Sequence, residues 1–295
     1  MKSVSILVRA AVAMAALAVL CRGGLWYVEA GQEPATTQDA AAQISDNGDE
    51  TFAIVELFTS EGCSSCPPAD ANLKRLSEFP ATKHINVIPL SFHVDYWNYL
   101  GWEDPFSDKA YSTRQAEYAK VLDKSQRVYT PQMVVNGHYT FNGSDQGLSD
   151  KAVELAMQRP VQHRVALKRT SDSPAVQTKS SAGEANRQRQ QVVVEVSIQP
   201  AEGAAKQNEI SDEDYEIAIV AVSDKATVQV KRGENSGQAL THVWIVRSLQ
   251  TQALTNDWGS FDVSLPKVEA DITRVVVFVQ SKVSREITGA SVLEL

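Results

Sequence analysis

Cys63-Ser64-Ser65-Cys66 is where this sequence concentrates its chemistry. A Cys-x-x-Cys at the end of a buried strand and the start of a helix is a redox motif. The amides of a helix N-terminus carry partial positive charge and stabilise a thiolate, and the thiolate is the nucleophile. Cys63, first in the turn, is expected to be the exposed attacking sulfur; Cys66, one turn in, is expected to be the more buried resolving one. Pro67 and Pro68 follow. Proline fits the first turn of a helix and not its interior, so the regular helix is expected to begin at about Cys66 or Pro67. An inert disulfide and half of a metal site are the other readings of the pair. A zinc site usually wants four ligands, and the sequence has no second cysteine pair.

Strand placement nominates the neighbours. In open α/β sheets chemistry gathers at the carboxyl ends of the strands. If the strand at 85–92 runs parallel to the one at 52–58, it ends at Ser91-Phe92-His93-Val94-Asp95. His93 would then lie near the sulfurs and exchange a proton near neutral pH, or pair with Asp95 to hold a loop. Glu56 interrupts an apolar strand. If buried, it is a carboxylate of raised pKa able to relay a proton to the resolving cysteine; if that side of the strand is open, it is solvated. Thr130-Pro131 opens another strand. A proline there can be cis, which would turn the Thr130 backbone toward the cysteines and offer an edge to an extended substrate. The run from Tyr96-Trp97 to Trp102 is aromatic without helical period. It reads as a cap near the site, with Trp97 in contact with substrate, or as packing.

The elements that must position these groups fall into two halves. Over 51–160 the pattern alternates: a strand at 52–58 (FAIVELF), a helix at 69–79, a strand at 85–92, and a helix from a Ser107 cap to about 124. A hairpin turning at Asn136-Gly137 and a closing helix at 149–159 complete it. This is an α/β layer. Over 161–295 there are short alternating runs at 164–168, 192–198, 216–222, 227–231, 242–249 and 273–280, with candidates near Phe261 and Val292. These predict a β-sandwich-like domain of about seven or eight strands.

The start of the chain reads as an address. Residues 1–30 have Lys2 and Arg9 ahead of an apolar run, 10–21, and a small residue at Ala30, as in a cleaved signal peptide. An uncleaved anchor is the alternative. Removing 1–30 also removes Cys21, leaving Cys63 and Cys66 in an oxidising compartment, where disulfides persist. Residues 31–50 are small, polar and acidic and read as a disordered leader. The 36 acidic against 28 basic side chains exclude the charge footprint of a nucleic-acid binder.

The first half resembles the thioredoxin superfamily in its strand at 52–58, Cys63-Ser64-Ser65-Cys66, Thr130-Pro131, Asn136-Gly137 and Gly143. More narrowly, the chain is similar to a family of secreted bacterial proteins catalogued as a domain of unknown function. The matching stretches are 55–70, His93 to Trp97, Gly101-Trp102, Arg114-Gln115, Tyr129 to Gln132, Arg232 to Gly237, and Gln280. The resemblance implies a thioredoxin-like domain with a helical insertion between Asp95 and Tyr129, followed by the β-rich domain. Gly62 stands where the superfamily usually has an aromatic residue, and the serine pair differs from those that tune its redox potential.

The expected function is a periplasmic or secreted thiol–disulfide oxidoreductase. Cys63 attacks, Cys66 resolves, Glu56 and His93 move protons, and Thr130, Pro131 and Trp97 hold the substrate chain. Its expected partners are a thiol- or disulfide-bearing protein or peptide and an external redox partner. No cofactor and no nucleic acid are called for, and a membrane only through an uncleaved N-terminal segment. Two alternatives stay open: copper or other soft-metal handling through Cys63, Cys66 and His93, and a non-catalytic binding module.

Overall fold

The computed structural model describes residues 44–46, 51–78, 86–123, 125–173, 191–202, 214–254, 260–265 and 272–295. The expected signal segment lies outside them, as does the expected leader except for 44–46. Those three residues form a strand where no structure was expected. Among the described residues no helix is long and apolar enough to cross a membrane.

The strands are β1 (Ile44–Asp46), β2 (Phe52–Thr59), β3 (Asn86–His93), β4 (Gln132–Val135), β5 (Tyr139–Asn142), β6 (His163–Ser173), β7 (Gln191–Pro200), β8 (Tyr215–Gln229), β9 (Ala239–Ala253), β10 (Ser260–Ser264), β11 (Arg274–Ser281) and β12 (Ile287–Glu294). The helices are α1 (Pro67–Ser77), α2 (Lys109–Leu122) and α3 (Gln146–Met157), with a 3-10 turn at Asn98–Leu100. Pro67 and Pro68 occupy the first two helical positions of α1 and Cys66 its N-cap, as the prolines require. α2 is capped by the Asp108 side chain rather than by Ser107, and α3 by Asp145.

The expected architecture, a thioredoxin-like α/β domain with a helical insertion followed by a separate β-sandwich, is not what forms. The chain is mostly β. An eight-stranded mixed sheet runs β12-β11-β8-β9-β3-β2-β4-β5, drawing on both halves of the sequence, and β1-β6-β7-β10 make a second sheet of four. Residues Ala42–Leu295 form one compact unit. β2 and β3 are parallel, and the free edge of β3 is taken by β9, which pairs with it in parallel at Ser91 and Ile245. The rest of the large sheet is antiparallel.

Side-chain alternation explains why the halves merge. Successive strand residues point to opposite faces, so a strand apolar at every position must be covered twice. β11 sends Val276 and Phe278 into one core and Val275, Val277 and Val279 into another. β8 divides likewise, with Ala218, Val220 and Val222 against Ile217 and Ile219. β2 puts Phe52, Ile54 and Phe58 with Tyr111 and Tyr118 of α2, and Ala53, Val55 and Leu57 with Leu73 and Leu76 of α1 and Ala152 and Val153 of α3. The core under α2 thus joins residues 52–58 to residues 218–222 and 276–278. Each large side chain buried there stabilises the fold by about 1.5–3 kcal/mol.

Candidate functional site

Cys63 and Cys66 are disulfide-bonded, their Cα atoms 5.5 Å apart. They sit where β2 ends and α1 begins. The Cys63 amide donates to the Ser60 carbonyl at 3.2 Å, and the Cys66 carbonyl accepts from Ala69 and Asp70 at 2.8 and 3.1 Å. The expected exposure of Cys63 is corrected: it is 1% exposed and Cys66 0%, while Ser64 and Ser65 between them are at the surface. The Ser65 hydroxyl lies 3.3 Å from the Cys63 sulfur.

Part of the cover comes from far along the chain. β8 and β9 extend as a two-stranded ribbon whose tip, 230–238, closes through the Val230 and Gln238 backbones at 2.9 Å. Asn235, buried in that tip, donates from Nδ2 to the carbonyls of Glu61 and Cys63, both at 2.9 Å. Glu234 accepts from the Ser64 amide and hydroxyl at 2.9 and 2.7 Å, and these bonds hold its carboxyl below the usual range. The tip presses close enough that a β-carbon on Gly233 would stand 3.7 Å from the Gly62 Cα. On another side, a β-carbon on Gly62 would meet Trp97 Cβ at 3.0 Å. That contact is a physical reason for a glycine before the first cysteine.

Beneath the turn lies a buried polar cluster. His93 ends β3 opposite Thr59, and its Nδ1 is 2.7 Å from Asp104 Oδ2. The same Asp104 oxygen accepts from the Glu61 amide at 2.9 Å. Trp102 Nε1 donates to Glu61 Oε2 at 2.6 Å. His242, on β9, stacks edge-to-face with His93 at 4.5 Å between ring centres. Its Nε2 is 3.4 Å from Glu61 Oε1, and its Nδ1 is 3.9 Å from Asp70 Oδ2. Burial pushes the Asp70 carboxyl up, with the two histidines pulling only partly against it. For His93 burial pushes down, but the Asp104 carboxylate outweighs it and the net shift is upward; Asp104 is correspondingly lowered by His93 despite its own burial.

The other expected site residues are placed as follows. Glu56 is fully buried but engaged elsewhere. Arg114 grips it through Nε and Nη2 at 2.5 and 2.9 Å, and Tyr118 donates to it. Gln280 of β11 closes that network by accepting from Arg114 at 3.0 Å and donating to Tyr118 at 2.8 Å. Glu56 lies on the β2 face that meets α2, so its partner is an arginine and neither a cysteine nor solvent. Asp95 is not the partner of His93; it accepts from Ser112 of α2 at 2.5 Å. The Thr130–Pro131 bond is cis. β4 pairs Gln132 with Phe58, which puts Pro131 level with Thr59 at the cysteine end of the sheet. Trp97 Nε1 donates to Thr130 Oγ1 at 2.8 Å, so Trp97 bridges from Gly62 to Thr130. Glu61, Asp70, Asp104, Asn235 and His242 were not expected in the site. Glu61 and Asp70 flank the cysteines in sequence, but nothing in the sequence pattern brings 235 and 242 to them. Among the described residues no three His, Cys, Asp or Glu side chains are gathered so as to hold a metal ion, so the copper reading finds no support.

Fold and site together define a strand-rich protein with a ribbon-covered disulfide at a helix N-terminus, backed by buried histidines and carboxylates. The chain belongs to a protein family of unknown function, DUF1223, whose model matches residues 54–280. It is similar to a crystal structure of protein AGR_C_4864 from Agrobacterium tumefaciens, at 27% identity and a TM-score of 0.57, over 82% of this chain and 93% of that one. HBP35 of Porphyromonas gingivalis shares the fold at 12% identity and a TM-score of 0.57, over 84% of this chain and 76% of that one. No curated protein matches.

Proposed function

We propose that the protein exchanges disulfides with thiol- or disulfide-bearing proteins or peptides through Cys63 and Cys66, in an oxidising compartment such as the periplasm. An external redox partner resets the pair. The observation that carries this is the placement of the disulfide at the N-terminus of α1, where Cys66 is the N-cap and its carbonyl already accepts helical hydrogen bonds. A thiolate formed there meets the positive end of the helix and is a good leaving group and nucleophile. The ribbon tip is the door: a substrate sulfur reaches Cys63 when 230–238 lifts off. Thr130 and Trp97, at the same end of the sheet, flank the path of the substrate chain.

Cys66→Ala tests this. With no resolving thiol, Cys63 is expected to hold a mixed disulfide with partner proteins, visible as adducts on non-reducing gels that vanish in Cys63→Ser/Cys66→Ala. No adduct in an oxidising cell envelope counts against exchange. The burial of both sulfurs favours one competing role, a structural disulfide. A reduction potential below about −300 mV would support that role instead.

A further inference from the structure

Three residues under the cysteine turn leave four buried polar atoms without a well-aligned hydrogen bond: Glu61 Oε1, His93 Nε2 and both ring nitrogens of His242, although Glu61 Oε1 and His242 Nε2 are 3.4 Å apart. A buried polar group left unpaired costs about 1–3 kcal/mol, so several in one place call for an explanation. Three carboxylates and two imidazoles meet here, and their side chains range from fully buried to one-tenth exposed. A charge in such a place is kept by a partner of opposite sign, as in His93 and Asp104, or removed by a proton. Buried carboxylates and imidazoles side by side can keep protons and pass them on.

Asp70 links the cluster to the sulfurs. It follows Cys66 by four residues, its amide bonded to the Cys66 carbonyl at 3.1 Å, so the two side chains share one face of α1 a turn apart. Asp70 also keeps one-tenth of its side chain at the surface, while Glu61, His93, Asp104 and His242 keep almost none. It therefore reaches solvent and the histidine from the helical turn that follows Cys66.

We propose that Asp70, held against His242 and backed by Glu61, His93 and Asp104, stores the proton that Cys66 takes up when the disulfide is reduced and takes it back on oxidation. The proposal deepens the exchange activity and rests on it. A thiolate of a substrate dithiol attacks the Cys63 sulfur; the new S–S bond forms as the Cys63–Cys66 bond breaks, and the electron pair leaves on Cys66. The proton on Asp70 moves to that sulfur, leaving a carboxylate against His242. The second substrate thiol then displaces Cys63, to which its proton passes. The substrate is oxidised by two electrons and the cysteine pair reduced by two. The charged and titratable groups facing Asp70 are His93 from β3, Asp104 from the following loop and His242 from β9, with Glu61 of the turn on the other side of His242. Arg247 lies beyond Phe106, and Glu234 sits above on the ribbon tip.

The test reduces the full-length protein with dithiothreitol at pH 5–9 and follows the rate per dithiothreitol thiolate, with infrared difference spectra of the two redox states. The wild type is expected to lose a protonated-carboxyl band on reduction and to show a rate inflection where that carboxyl titrates. Asp70→Asn should remove the band and the inflection and slow reduction at pH 6 by at least about tenfold, and Asp70→Glu should restore both. An unchanged band or inflection in Asp70→Asn overturns the proposal. Should that variant not fold, His242→Gln decides: a displaced inflection supports the store and an unmoved one overturns it. A normal rate with no carboxyl signature would sink the store and leave exchange standing. A folded protein inert to dithiothreitol at every pH would sink both.

Discussion

Replacing Asn235 by Ala should uncover the cysteines without unfolding the protein. Asn235 makes two hydrogen bonds to backbone carbonyls of the cysteine turn, each 2.9 Å, and is itself 1% exposed. Buried hydrogen bonds are worth about 0.5–1.5 kcal/mol each, so the substitution weakens tip docking by about 2 kcal/mol. At about tenfold per 1.4 kcal/mol, the open population rises about 30-fold. The assay is alkylation of the reduced protein by iodoacetamide, with Cys63 modification followed by mass spectrometry. When opening is rapid and rare, the rate scales with the open population, so it should rise about 30-fold in Asn235→Ala. Glu234→Ala, whose hydrogen bonds face solvent, should change it far less. A rate within threefold of wild type in Asn235→Ala, with the thermal midpoint unchanged, would show that the tip is not what covers the sulfur.

Glu56→Gln strips the buried Arg114 of its carboxylate and should cost about 3–5 kcal/mol, read as a lower urea midpoint; a loss under about 1 kcal/mol would mean the network does not anchor α2. Burial lowers the His163 pKa from the ordinary 6.5 to about 4. Between those values the unfolded chain binds a proton that the folded one refuses, so stability falls on acidification, by up to about 3 kcal/mol at pH 4. His163→Gln lacks that loss, so the stability gap between it and wild type should narrow from pH 7 to pH 4.5; a gap independent of pH would refute the assignment.

The local grammar of the chain was largely legible. FAIVELF reads as a doubly buried strand, the two prolines fix where α1 begins, and Asn136-Gly137 makes the β4–β5 turn, with both residues at positive φ. Most of the later strands fall where alternation puts them, although the runs at 216–222 and 227–231 are one strand. What the sequence did not disclose is who pairs with whom. Val275 to Val279 is apolar at every position, which calls for two covered faces, but nothing in those residues says that one cover contains α2. The same gap hid half of the site. His242 and Asn235 carry no spacing relation to Cys63, because a ribbon of pairing residues delivers them. For Glu56 the sequence suggested burial without the partner; Arg114 is 58 residues away and Gln280 further still.

The shared sheet also limits how this molecule can be divided. A fragment ending near residue 160 would keep both cysteines, yet it would leave the β3 edge bare, strip Arg114 of Gln280 and empty the place of His242. Such an edge invites pairing with other chains, so the fragment should aggregate rather than work as a portable module. Any rearrangement that keeps the cysteines covered must therefore carry the ribbon along with them.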